Sequence, residues 1–123
     1  MRTAIFSTVL MTFALVLAGS AAEKTATVHG YVLDSACAFT KSLDKPVSRT
    51  CALACAKAGS QLVILADDGN IYWPIPSATP AAGQNPKLMK FAGERVTASG
   101  KVFQRGGSRA IVIEKITPEA TKK

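Results

Sequence analysis

"QLVILADDGNIYWPI", residues 61–75, decides how the rest of the chain is read. Two apolar runs flank Asp67-Asp68-Gly69-Asn70. An Asp-Gly step between hydrophobic runs is a strong short-range signal for a β-hairpin, because glycine accepts the positive φ that a tight turn requires. Asp67 and Asp68 therefore serve the turn rather than acid–base chemistry. Pro74 has no amide hydrogen to give a ladder, so the second strand ends there or lies at an edge.

Working upstream, "SRTCALACAKAGS", residues 48–60, predicts a helix over 49–58. Ser48 is placed to cap it, its alanines have the highest helix propensity, and Gly59 is placed to stop it. Before it, "DSACAFTKSLDKPV", 34–47, predicts a loop, with Pro46 barring a helix. "TATVHGYVLD", 25–34, alternates as a strand with neither face strongly polar, and Gly30 marks a bulge or sharp bend. Downstream, "PSATPAAGQNPKLMKFAG", 76–93, holds a loop and then a short helix with Asn85 as cap, Pro86 at its first position and Gly93 beyond its end. "ERVTASGKVFQ" and "SRAIVIEKITP" then alternate at period two around Arg105-Gly106-Gly107 and predict a second hairpin.

The order is strand, helix, hairpin, short helix, hairpin. Five short strands with a helix between the third and fourth is the connectivity of an OB-fold barrel, with the cysteine-bearing helix inserted between strands 1 and 2. An open α+β sheet with helices on one face is the alternative.

The N-terminus has different grammar. Arg2 precedes an apolar run from about Val9 to Ala18, and Ser20-Ala21-Ala22 supplies small residues. That pattern predicts a secretory signal peptide over 1–22 and a single OB-like domain over 23–123. The run is shorter than the roughly 20 residues of a bilayer span, so no stable membrane insertion of the mature chain is expected. Without Arg2, fourteen basic side chains stand against eight acidic ones, a net charge of +6. This favours contact with anionic surfaces, although the charges are scattered singly.

Several stretches carry a resemblance. "GYVLDSAC", "CALACAKAGSQLVIL", "FAGERVTASGKVF" and "AIVIEKI" resemble a family of small exported bacterial proteins with a single OB-like domain and a Cys…CxxxC pattern. The resemblance spans nearly all of the chain after residue 22 and is most specific in Asp34–Cys37 with Cys51, Cys55 and Gly59. It implies an exported protein without an assigned activity. Members often carry a histidine just before the first cysteine of the pair, where this chain has Ser48, Arg49 and Thr50. That departure weakens a four-ligand site of the Cys-plus-His type.

Cys51 and Cys55 lie four apart, on one helix face about 40 degrees apart around the axis. Their parallel β-carbon vectors would strain a bridge between them. Cys37 is then the partner, with Cys55 favoured and Cys51 the alternative. Such a bridge closes a loop of about 15 to 19 residues and contributes roughly 3 kcal/mol. A second reading is a soft copper or zinc site of Cys37, Cys51 and Cys55, completed by His29 or Met89. A third is thiol redox chemistry, for which the CxxxC spacing departs from the usual two-residue separation.

No GxSxG, HExxH or phosphate-binding glycine loop is present, so enzyme catalysis has no motif behind it. Asp34, two residues before Ala36, is placed to support the turn that presents Cys37. Tyr72 and Trp73 fall on the third strand, where OB-folds bind ligands. Adjacent strand residues face opposite ways, so only one of them can present a ring outward. Nucleic acid is not the expected partner of an exported chain. The expectation is a monomeric exported binding or structural module with a ligand face near Tyr72 and Trp73. Soft-metal binding and thiol redox chemistry are its alternatives.

Overall fold

β1 runs over Ala22–Asp34 and changes partner along its length. Its first part, Ala22 to Tyr31, pairs with β4 (Arg95–Arg105), and its last part, Gly30 to Asp34, pairs with β2 (Leu62–Ala66). Gly30 sits in the overlap, where a β-carbon would lie 2.1 Å from the Leu65 carbonyl oxygen. Only glycine lets β1 approach β2 so closely where it passes from one partner strand to the other; the register runs through Gly30 without the bulge that the sequence suggested. In the computed structural model, which describes residues 22–41 and 48–120, the strands close in the order β1-β2-β3-β5-β4. β3 (Ile71–Pro74) and β5 (Ser108–Pro118) pair in parallel; the other neighbours are antiparallel. This is a five-stranded mixed barrel, consistent with an OB-like fold. The open α+β alternative is overturned because β1 pairs on both sides and leaves no free edge. The expected signal peptide falls almost wholly outside the described residues, as does Pro46.

The barrel interior follows the period-two pattern. Val28, Val32, Ile64, Val96, Ala98 and Ile111 are buried together, and Ala52, Ala56, Leu88 and Phe91 pack against them from the helices. On β4, Val96, Ala98 and Gly100 alternate with less buried neighbours, as a half-buried strand requires, whereas β2 is buried at all five positions from Leu62 to Ala66. Gly100 marks a register shift between β4 and β5, where a β-carbon would meet the Val112 carbonyl oxygen at 1.9 Å. The β4–β5 turn is made by Gly106 and Gly107, both at positive φ, as a two-residue hairpin of this hand demands.

Two details depart from the sequence reading. The segment after β1 is not a loop throughout: Ser35–Thr40 forms a short helix, α1, because the Asp34 carboxylate accepts the Cys37 amide at 2.7 Å and caps it. Asn85 is the first residue of α3 (Asn85–Leu88) rather than its cap. Its side chain accepts the Leu62 amide at 2.8 Å and donates to the Ser60 carbonyl at 2.7 Å, tying α3 to the start of β2. A 3-10 turn over Met89–Phe91 extends α3. The cysteine-bearing helix, α2 (Arg49–Lys57), is capped by Ser48, whose hydroxyl accepts the Cys51 amide at 3.1 Å. Its first residue is clamped: Arg49 donates to the carbonyls of Lys90 and Ala92 and to Glu94. Gly93 lies under the Arg49 backbone, where a β-carbon would come within 2.8 Å of Cα.

Candidate functional site

The register across three strands places Trp73, Ala110 and Phe103 side by side, since Ala110 pairs with Trp73 on one side and Phe103 on the other. Two aromatic side chains thus flank a one-methyl floor, with their backbones roughly 10 Å apart across two strand spacings. The result is a trough of about 330 Å³, bordered also by Arg105, Ser108 and Arg109. Arg105 stands two residues beyond Phe103, on the same face of β4. A second basin, of about 440 Å³, shares Trp73, Ser108 and Arg109 and continues over Asn70, Gly106, Gly107 and Phe39. Phe39, on α1, is 68% exposed and is the one large apolar side chain so exposed among the described residues. Among those residues neither Arg105 nor Arg109 forms an ion pair. Arg109 stands near enough to Asp68 to help hold that carboxyl low, behind the larger effect of the Asn70 amide.

Tyr72 behaves differently from its neighbour. It packs against the core and borders a smaller hollow of about 210 Å³ with Thr27, His29, Asp67 and Asp68. Beside this hollow lies a closed ionic cluster. Arg95 donates to Glu119 at 2.6 Å through Nε and grips both Asp67 oxygens through its other nitrogens. Thr97 donates to Glu119 at 2.6 Å, and His29 Nδ1 bonds the same carboxylate oxygen. The Thr97 hydroxyl, then His29 and Arg95, hold the Glu119 carboxyl down to about 2. Bonding to Arg95 likewise lowers Asp67. The guanidinium also lies over the Tyr31 ring at 5.7 Å.

The cysteines sit at the other end of β1. Cys37 is on α1, and Cys51 and Cys55 are on α2; all three are free thiols. The expected bridge from Cys37 to Cys55 or Cys51 is therefore not formed in the structure. Burial pushes the Cys37 thiol up, and so do the Asp34 carboxylate, Cys55 and Cys51, in that order. Burial, Asp34 and Cys51 raise Cys55 as well. An attacking redox thiol needs the opposite shift. Among the described residues no three His, Cys, Asp or Glu side chains are grouped to hold a metal. His29 is engaged by Glu119, five residues and roughly 16 Å along β1 from Asp34. Met89 packs against the core.

Sequence reasoning named Trp73, Tyr72 and Asp34. It did not find Phe103 or Phe39 as site residues, nor the Arg95–Glu119 cluster. The usable signal for Phe103 was the barrel topology itself, which makes β5 the neighbour of both β3 and β4. No family model, curated relative or solved structure matches the chain.

Proposed function

We propose that the chain is an exported binding module of OB type, not an enzyme, whose ligand seat is the trough between Trp73 and Phe103. One observation carries this: the strand register sets Trp73 and Phe103 on either side of Ala110 in one trough, beside Arg105, which forms no ion pair among the described residues. A concave, mainly apolar surface with a few polar groups at its rim is the usual form of a small-ligand site. Export rests on the signal-like residues 1–22 and on the resemblance to small exported proteins. In an oxidising compartment Cys37 and Cys55 join as a disulfide, passing two electrons and two protons to a disulfide oxidant. The bridge fastens α1, and with it Phe39, to α2.

Trp73 is the sole tryptophan, so its emission reports on the trough without a label. A panel of small anionic and neutral ring compounds is titrated into the processed protein and into F103A and R105A. The expected result is a saturable emission change for an anionic member, weakened in both variants. Binding that neither variant affects, or no binding at all, overturns the ligand seat. Intact mass before and after reduction checks the bridge. A two-proton deficit with one alkylatable thiol is expected, and three free thiols after export overturn it.

A further inference from the structure

We propose that the trough takes a carboxylated sugar, a uronic acid within a short oligosaccharide. This rests on the reading of the trough as the ligand seat. The floor is a single alanine wide, and the walls are Trp73 and Phe103. With the two backbones roughly 10 Å apart and the aromatic side chains taking up part of that width, a flat ring packed at about 3.5–4.0 Å against a wall fits the trough better than a branched or globular group. The weakly positive C–H face of a pyranose suits the negative face of an aromatic ring. The adjoining basin is mixed, with Asn70, Ser108, Arg109 and the Gly106-Gly107 turn beside Phe39 and Ile71. Hydroxyl groups on a neighbouring sugar find donors and acceptors there, and the Phe39 ring offers a further apolar face for its C–H side.

The charge pattern fixes the number of anionic groups. Arg105 is free to fork onto a carboxylate. The next cation along Phe103's face of β4, Lys101, is already paired with Glu23 at 3.1 Å. On the other side Arg109 stands near Asp68. The basic surface is therefore short, suited to one or two carboxylates. A nucleic-acid strand offers a phosphate at every nucleotide and would outrun it. The strands also present one outward ring from the Tyr72–Trp73 pair, because Tyr72 packs against the core.

The test uses four probes on the processed protein, by calorimetry and Trp73 emission: trigalacturonate, its fully methyl-esterified neutral form, hexathymidylate and inorganic phosphate. Trigalacturonate is expected to bind, with the neutral ester at least about tenfold weaker. R105A should remove that preference, losing about tenfold for the acid and little for the ester. Arg105 is an exposed residue beside the turn, so this variant keeps the fold, and a wild-type urea midpoint confirms it. Equal binding of acid and ester, or tighter binding of hexathymidylate or phosphate with the F103A dependence intact, overturns the carboxylated-sugar assignment and leaves the seat standing. No binding by any probe, here and in the wider panel above, overturns both.

Discussion

Tyr72 and Trp73 are consecutive, yet they border chemically opposite surfaces. On Tyr72's side, Arg95, Asp67, Glu119, His29 and Thr97 satisfy one another in a closed cluster. On Trp73's side, Arg105 has no ion pair among the described residues and stands beside the half-buried rings of Trp73 and Phe103. A charge that is already paired holds structure and offers little to a newcomer. A free guanidinium at an apolar trough contributes little to the fold and is available to a ligand. The comparison separates side chains engaged in holding the barrel from side chains left unengaged at its surface.

The largest expected effect tests the strand both regions share. Gly100→Val places carbon where the Val112 carbonyl already lies, and should cost about 3 kcal/mol or more. Urea unfolding followed by far-UV circular dichroism checks this. A native-like midpoint would show that the β4–β5 seam tolerates what its geometry forbids. Next, Arg95→Ala leaves two carboxylates without their cation and should lower stability by about 1 to 2 kcal/mol, the exposed Asp67 half contributing least. Equal midpoints for R95A and wild type would break the distinction between the two surfaces.

The same cluster predicts a pH dependence. Glu119's carboxyl is lowered from the usual 4.5 to about 2 in the folded chain. The stability it confers is then full above about pH 4.5 and lost as the pH falls through about 2. Midpoints measured from pH 6 to pH 2 should fall for wild type and fall less steeply for Glu119→Gln. Parallel slopes would place the acid sensitivity elsewhere.

A smaller effect concerns α1. Asp34→Ala removes its cap and should cost about 1 kcal/mol. Because the carboxylate also raises the Cys37 thiol, the variant's reduced form should alkylate faster at Cys37 near pH 8, read by peptide mass. An unchanged rate would show that Asp34 does not hold that thiol up. Smallest of all, Arg105→Ala should leave stability within about 0.5 kcal/mol of wild type. If it destabilises as much as R95A, the trough arginine is structural and the comparison collapses.

Much of the fold was legible in the chain because its signals are local. Asp-Gly and Gly-Gly turns, the Ser48 and Gly59 limits of α2, and two alternating strands each declare themselves within a few residues. The loop read over 34–47 missed α1, since Asp34 reads as the strand's end until its side chain turns onto the Cys37 amide. Asn85 looked like a cap because asparagine caps so often, but the approach of β2 gave its amide better partners in Leu62 and Ser60.

The sequence by itself determined the five strands, the inserted helix, the basic balance and the grouping of three cysteines on one inserted segment. Only the tertiary structure decided which side chains meet. Trp73 and Phe103 lie thirty residues apart and become near neighbours because β5 enters between β3 and β4 with Ala110 at the shared register. His29, Arg95 and Glu119 converge because the barrel closes β1 onto β4. Local composition sets which elements form, whereas pairing between distant strands sets their neighbours.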